Sequence, residues 1–356
     1  MKREMKLVTV ATAAALLVGC ASGGDTFGND VIGDNPLEML LCAPLFICGA
    51  KKTTTSSGAS TSTSVPTSPS YVAALSASST IASWEDLPPD THGNAYGAVA
   101  SIGYKDAGLR INSVSDGAQW WGGVVGFEYD ADRKLAYFSI PAGADTFADL
   151  SRAGYSGIDF GFSSEVSSDR QSPFTSVAGD AYVVGLVANP FRLGWNYQSF
   201  GAWNDQVLGA GGTISSQSFG GATPVSAVPL SGRAMFTGKV GGLYVSPTGE
   251  GSIAAGDVTV NADFSARSLS FVSSNTITTR DVATATPAPN LNLSGTLSYA
   301  PGSGRFSGTL TSAGGTISGT SNGQFYGPKA EELGGVFVVR SATTVETFTG
   351  AYGAKR

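Results

Sequence analysis

G-Q-F-Y-G-P-K-A-E-E-L-G-G-V-F, running from Gly323 to Phe337, reads as a tight connection between two strands. Phe325 and Tyr326 end an alternating run, Gly327-Pro328 stops it, Lys329 to Leu333 suits one helical turn, and Gly334-Gly335 lets a new strand run from Val336 to Arg340. Outward from this hairpin, after Pro229, eight runs recur at regular spacing: Gly232 to Val240, Asp257 to Phe264, Ser268 to Ser273, Leu291 to Tyr299, Arg305 to Thr311, Thr316 to Ser321, Val336 to Arg340 and Thr347 to Tyr352. Such spacing fits an antiparallel up-and-down β-barrel. Composition agrees, because charged residues are 13% of the chain against the roughly 25% usual for soluble domains. Glycine, with 48 residues, is about twice its usual share, which favours many tight turns over long solvated helices.

A period of two separates the inside of the barrel from its outside. Leu291, Leu293, Gly295, Leu297 and Tyr299 share one face, with Asn292, Ser294, Thr296 and Ser298 on the other; Phe306, Gly308 and Leu310 repeat this beside Ser307, Thr309 and Thr311. Outward Ser, Thr and Asn place the barrel in water rather than in lipid. Eight strands leave room for side chains or one small ligand, so a filled lumen and a ligand cavity are both compatible with the pattern. Shorter runs precede the barrel: Ala95 to Tyr104, Val124 to Tyr129, Ala136 to Ile140, Gly157 to Phe162, Ala181 to Val187 and Trp195 to Trp203.

The Gly323–Phe337 stretch resembles the barrel domain of transferrin-binding protein B and its solute-binding surface-lipoprotein relatives. In that family F-x-G-x-x-A-x-E-x-G-G-x-F sits near the C-terminus, and Phe325, Gly327, Ala330, Glu332, Gly334, Gly335 and Phe337 match it in order. Tyr197-Gln198-Ser199-Phe200-Gly201-Ala202-Trp203 lies where the family places the strand leading into its barrel. The resemblance covers Trp84 to Arg356 and implies an all-β protein: an irregular, handle-like β domain followed by an eight-stranded lipocalin-like barrel, with partner-facing loops mainly on the handle. One such pair is present here where the full transferrin receptor lipoprotein has two, so transferrin itself is not implied as the partner.

The start of the chain gives its address. Lys2, Arg3 and Lys6 precede an apolar run from Leu7 to Val18 broken only by Thr9 and Thr12, an export signal rather than a spanning helix. Leu17-Val18-Gly19-Cys20 fits a bacterial lipobox, in which small Gly19 admits the signal peptidase and the thiol of Cys20 takes the diacylglycerol. Each buried acyl methylene contributes about 0.8 kcal/mol, so two or three chains anchor the protein to the membrane. Ala21-Ser22 follow Cys20 in place of Asp, so the signal for inner-membrane retention is missing and the outer membrane is the expected destination. Exposure at the cell surface is implied by the family resemblance. Cys42 and Cys48 have five residues between them in C-A-P-L-F-I-C, and an oxidising periplasm would permit a short-loop disulfide between them. Thr53 to Ser70 is nearly all Thr, Ser, Gly, Ala and Pro, the composition of a disordered tether. The expected organisation is thus signal peptide 1–19, lipidated N-terminus and linker 20–70, handle-like domain 71–205 and barrel 206–356.

Chemistry-bearing motifs are sparse. The single histidine, His92, stands in the turn-rich run P-P-D-T-H-G-N and is expected in a solvated loop, where it offers at most one haem or metal ligand. No H-E-x-x-H or P-loop spacing occurs, so an enzyme is not expected. Asp130, Asp132 and the acids from Asp257 to Asp263 read as turn and strand-end carboxylates rather than a calcium loop. Removal of residues 1–19 leaves 18 basic and 26 acidic side chains, a net charge of −8, which argues against nucleic acid as a partner.

In Trp120-Trp121 the two rings alternate across a strand, so one enters the core while the other can anchor a partner; Trp121 is taken as the residue to replace. The expected function is capture of a host or environmental carrier or ligand, with haem or a metal ion as possible cargo, for delivery to an outer-membrane transporter. The alternative is an adhesive or immune-shielding surface lipoprotein that resembles complement-regulator binders and delivers nothing.

Overall fold

The computed structural model describes residues 83, 91–107, 110–130, 135–139, 147–149, 160–171, 178–207, 211–280 and 285–356. Cys20, Cys42, Cys48, the expected signal peptide and the expected tether lie outside them. The first sheet holds β1 (Thr91–Ala107), β2 (Arg110–Val114), β3 (Ala118–Asp130), β4 (Leu135–Ser139), β5 (Phe147–Asp149), β6 (Phe160–Gln171), β7 (Ala178–Ala188), β8 (Gln198–Val207) and β9 (Gly211–Gly220). Their order is β5-β4-β3-β1-β9-β8-β7-β6, with β2 paired to β1. β9 therefore belongs to this sheet although residues from 206 onward were expected in the barrel; its Ser- and Gly-rich run T-I-S-S-Q-S-F-G carries too little apolar alternation to reveal a strand. A short helical turn, α1 (Pro190–Leu193), joins β7 to β8, capped by the Asn189 side chain on Arg192 N–H and ended by Gly194 at φ 65°.

The second sheet contains β10 (Arg233–Val245), β11 (Gly251–Asp263), β12 (Ser268–Thr279), β13 (Thr286–Pro287), β14 (Leu293–Ser298), β15 (Arg305–Ser312), β16 (Ser318–Tyr326), β17 (Glu332–Arg340) and β18 (Thr347–Lys355). Eight of these close into an antiparallel barrel, β13 being a two-residue strip beside β12. Closure comes from the first and last strands, which pair from Thr237 opposite Lys355 to Val245 opposite Thr347. Leu293, Leu297, Phe306 and Leu310 are buried while Ser294, Thr296, Ser298, Ser307, Thr309 and Thr311 are half-buried or exposed, so this part of the wall faces water as the alternation requires.

Side chains fill the lumen. Phe325 is the hub at one end, its ring 5.3 Å from Phe306, 5.5 Å from Tyr299, 5.9 Å from Phe264 and 6.3 Å from Phe236. Farther along, Phe337 meets Phe348 and Phe271 meets Tyr352, each pair edge-on at 4.8 Å, the geometry that aromatic quadrupoles favour. Residues 221–232 cap the Phe325 end: Val228 is buried in the same core, and Thr223 donates from its N–H to Phe325 O at 2.9 Å and from Oγ1 to Gly327 O at 2.7 Å.

The first sheet lies on the outside of this barrel. Ala98, Ala100 and Ile102 of β1, Phe200 and Ala202 of β8 and Ile214 of β9 form one core with Leu243, Val245, Val336, Val338 and Ala351 of the barrel wall. β17 and β18 are consequently buried on both faces, which is why V-F-V-V reads as a continuous apolar run.

Phe325→Ala should cost about 3–5 kcal/mol by emptying the aromatic hub, whereas Val272→Ala on the wet wall should change stability by no more than about 0.5 kcal/mol. Urea unfolding of the two variants, followed by tryptophan fluorescence, measures both.

Candidate functional site: the seam and an exposed tryptophan

Each residue of the Gly323–Phe337 motif has a physical task at the seam or in the lumen. The connection after Tyr326 is a turn over 327–330 and not the expected helical turn from Lys329 to Leu333, because Gly327 at φ 85° and Ala330 at φ 60° reverse the chain within four residues. A Cβ on Gly327 would lie 2.6 Å from the Tyr197 ring, so its hydrogen admits that ring as well as the backbone angle. β17 starts at Glu332, four residues before the expected Val336, so Gly334-Gly335 lies inside the strand. The two glycines serve opposite faces. A Cβ on Gly334 would stand 2.7 Å from Ser218 Oγ and 2.8 Å from Gln198 Oε1 of the first sheet; one on Gly335 would stand 2.6 Å from Tyr352 Oη inside the barrel.

Glu332 locks the seam. It is buried, and its two carboxylate oxygens accept the Asn196 N–H at 2.5 Å and the Tyr197 N–H at 3.0 Å, just where α1 hands over to β8. Gln198 covers the same ground from the other side, its amide lying over Gly334 and Gly353. Ser218 Oγ and Tyr326 Oη share a hydrogen bond of 2.9 Å, Ser216 Oγ donates to Gly350 O at 2.9 Å, and Lys355 Nζ donates to Gly194 O at 2.9 Å. Burial raises the Glu332 carboxyl to about 7, prevailing over the backbone N–H groups of Asn196, Tyr197 and Gln198 and the Lys355 ammonium, which pull it down.

The tryptophan pair divides as alternation demands. Trp121 faces the barrel, with the Arg305 guanidinium 4.4 Å above its ring, while Trp120 is 46% exposed. The β2–β3 connection and the start of β3 are fixed to the barrel: Gln119 Nε2 donates to Thr320 O at 2.7 Å, and Arg340 holds Asp116 and the Ser115 carbonyl. Tyr96, on neighbouring β1, is 38% exposed. His92 is placed in β1, opposite Glu128, and not in the loop expected from its turn-rich surroundings; the neighbouring strand supplies a pairing that P-P-D-T-H-G-N does not announce. Asp257 is held by Lys239 at 2.9 Å and Asn275 at 2.8 Å, and Asp263 by Arg233 at 3.0 Å, so both belong to strand-side ion pairs. Among the described residues no group of three or more His, Cys, Asp or Glu side chains could hold a metal ion.

Comparison with known proteins supports the barrel reading. Residues 228–356 match the family model of the C-lobe and N-lobe beta barrels of Tf-binding protein B, so the barrel is of the transferrin-binding protein B type. Solved structures similar to this chain include a Trp-176-Ala mutant of transferrin-binding protein B from Haemophilus parasuis Hp5, 13% identical over 76% of this chain and 77% of that one, with a TM-score of 0.37. A surface lipoprotein is 14% identical over 73% of this chain and 98% of that one (TM-score 0.39). The isotype 1 protein from serogroup B Neisseria meningitidis is 14% identical over 75% of this chain and 77% of that one (TM-score 0.35). No curated protein sequence matches the chain.

Because the folded carboxyl of Glu332 lies above its ordinary 4.5, the folded protein binds more protons than the unfolded chain between those values. The stability it contributes is therefore complete below about 4.5 and lost as pH rises through about 7. Relative to Glu332→Gln, the wild type should lose up to about 3 kcal/mol between pH 4.5 and 8, read as the difference in urea midpoints.

Proposed function

We propose that this chain is a lipid-anchored binding protein of the outer-membrane surface that holds a carrier of iron, haem or another metal for handover to a transporter in that membrane. The observation that carries the reading is the pairing of a transferrin-binding protein B-type barrel with a second sheet packed on its wall, behind a sequence that fits a lipobox at Cys20. Proteins of that barrel type are described as transferrin-binding, which supports a protein or a small ligand as cargo; the identity of the partner is this chain's own.

Holding rather than converting follows from the physical design. The lumen is packed with rings, the seam is packed and hydrogen-bonded, and recognition falls to side chains that project from this scaffold. Trp120 is the proposed partner contact, since an exposed ring on a braced strand offers large contact area at small entropic cost. Trp121 supports it from beneath by stacking on Arg305.

Pull-down from growth medium or host serum with mature protein carrying Cys20→Ser, followed by mass spectrometry and visible absorbance, should recover a carrier protein or haem. Trp120→Ala should weaken binding of the recovered partner by roughly tenfold or more, while Phe→Leu changes in the lumen leave affinity intact. A deletion strain should grow poorly when that partner is the sole iron, haem or metal source. Normal growth on every source, with a host protein still captured, would transfer the chain to the adhesive or shielding class.

A further inference from the structure

The chain as a whole is acidic, yet one end of its barrel is not. At the end closed by residues 221–232 stand Arg233, Arg267, Arg305, Lys329, Lys355 and Arg356, all exposed, against Asp263, Glu331 and the buried Glu332. Among the described residues of the opposite end, Arg280 and Arg340 are balanced by Glu250 and Glu346. The six cations are distributed round the rim: at the start of β10, in the β11–β12 turn, at the start of β15, in the β16–β17 turn and at the end of β18. Of the six, Arg233 alone forms an ion pair among the described residues, with Asp263 at 3.0 Å.

Aliphatic side chains stand among these charges. Leu230 in the cap is 90% exposed, Met235 at the start of β10 is 60% exposed and Val225 in the cap is 53% exposed. The cap itself is firmly seated through Val228, Thr223 and the Phe264 N–H to Gly232 O bond at 3.0 Å, so these residues are presented by ordered backbone. Arg305 is stacked on Trp121 and Lys355 bonds Gly194 O, while Arg267 and Lys329 make no side-chain hydrogen bond or ion pair among the described residues; such cations at the same end as exposed aliphatics suit a flat, fluid, negatively charged surface better than a compact anion.

We propose that this end of the barrel docks on an anionic lipid surface. The proposal rests on the lipid anchoring at Cys20 put forward above, which brings the partner surface within range: the tether expected from the composition of residues 21–70 reaches roughly 40 Å, so weak contacts suffice for docking. Arg267 and Lys329 supply charge attraction, Leu230 enters the headgroup boundary, and the acidic net charge sits on the remainder of the chain.

Flotation with vesicles tests this, using the mature chain with Cys20→Ser so that no acyl chain contributes. The protein should float with vesicles of phosphatidylglycerol and phosphatidylethanolamine, stay behind with phosphatidylcholine vesicles, and be released in about 0.5 M salt. The double variant Arg267→Glu/Lys329→Glu should reduce the vesicle-bound ratio by roughly tenfold or more, and Leu230→Asp should also reduce it, with thermal midpoints unchanged since all three positions are exposed. Equal flotation with both vesicle types, absence of flotation, unaltered flotation of the charge-reversed variant, or capture of an acidic protein with no vesicle binding would each overturn the assignment. Radiolabelled palmitate uptake by the wild type reads the anchor separately: label without flotation removes the docking surface alone, and absence of label removes the anchor.

Discussion

β17 and β18 have protein against both faces, and that double burial constrains most of what surrounds them. Leu333, Phe337, Val339, Phe348 and Tyr352 belong to the lumen core, while Val336, Val338 and Ala351 belong to the core shared with the first sheet. A barrel wall used this way cannot keep the wet outer face of β14 and β15, and it cannot accept side chains wherever the second sheet comes nearest. Gly334 and Gly353 answer that demand where Gln198 lies, and Gly241 answers it beneath Phe160 and Leu186. The carboxylate of Glu332 then satisfies backbone donors that the handover from α1 to β8 would otherwise leave without a protein partner.

Much of this architecture was legible in residue order. Alternation in Leu293–Ser298 and Arg305–Ser312 gave the inward face correctly because these strands meet the simple condition of one dry and one wet side. Where that condition fails, so does the reading: Glu332–Gly335 looked like turn and spacer because the glycines that suggest a break are there to let neighbours approach. β9 escaped notice for a related reason. Ser216 and Ser218 face the barrel wall and satisfy themselves on Gly350 O and Tyr326 Oη, so a dry face was built from hydroxyls. No pattern of apolar residues announces such a face.

The seam is less legible than the fold, since its key contacts join residues far apart in the chain. Nothing near Glu332 in sequence names Asn196 and Tyr197 as its donors, and nothing near Trp121 names Arg305 as its cover. Sequence could say that Trp120 and Trp121 diverge; which of them meets the barrel depended on where the hairpin lies across β16 and β17. His92 shows the same limit in reverse, because strand pairing with Glu128 overrides local turn signals.

The pairing of β10 with β18 has a consequence for biogenesis. Register from Thr237–Lys355 to Val245–Thr347 means that the ring cannot shut until β18 is available, so contacts separated by more than a hundred positions must form late. Until then β10 and its neighbours present unsatisfied hydrogen-bonding rows, the state most prone to pairing with the wrong chain. Closure by the last strand keeps the ring open by construction: the chain stays extended and threadable until β18 is free to pair, and only then becomes a sealed cylinder.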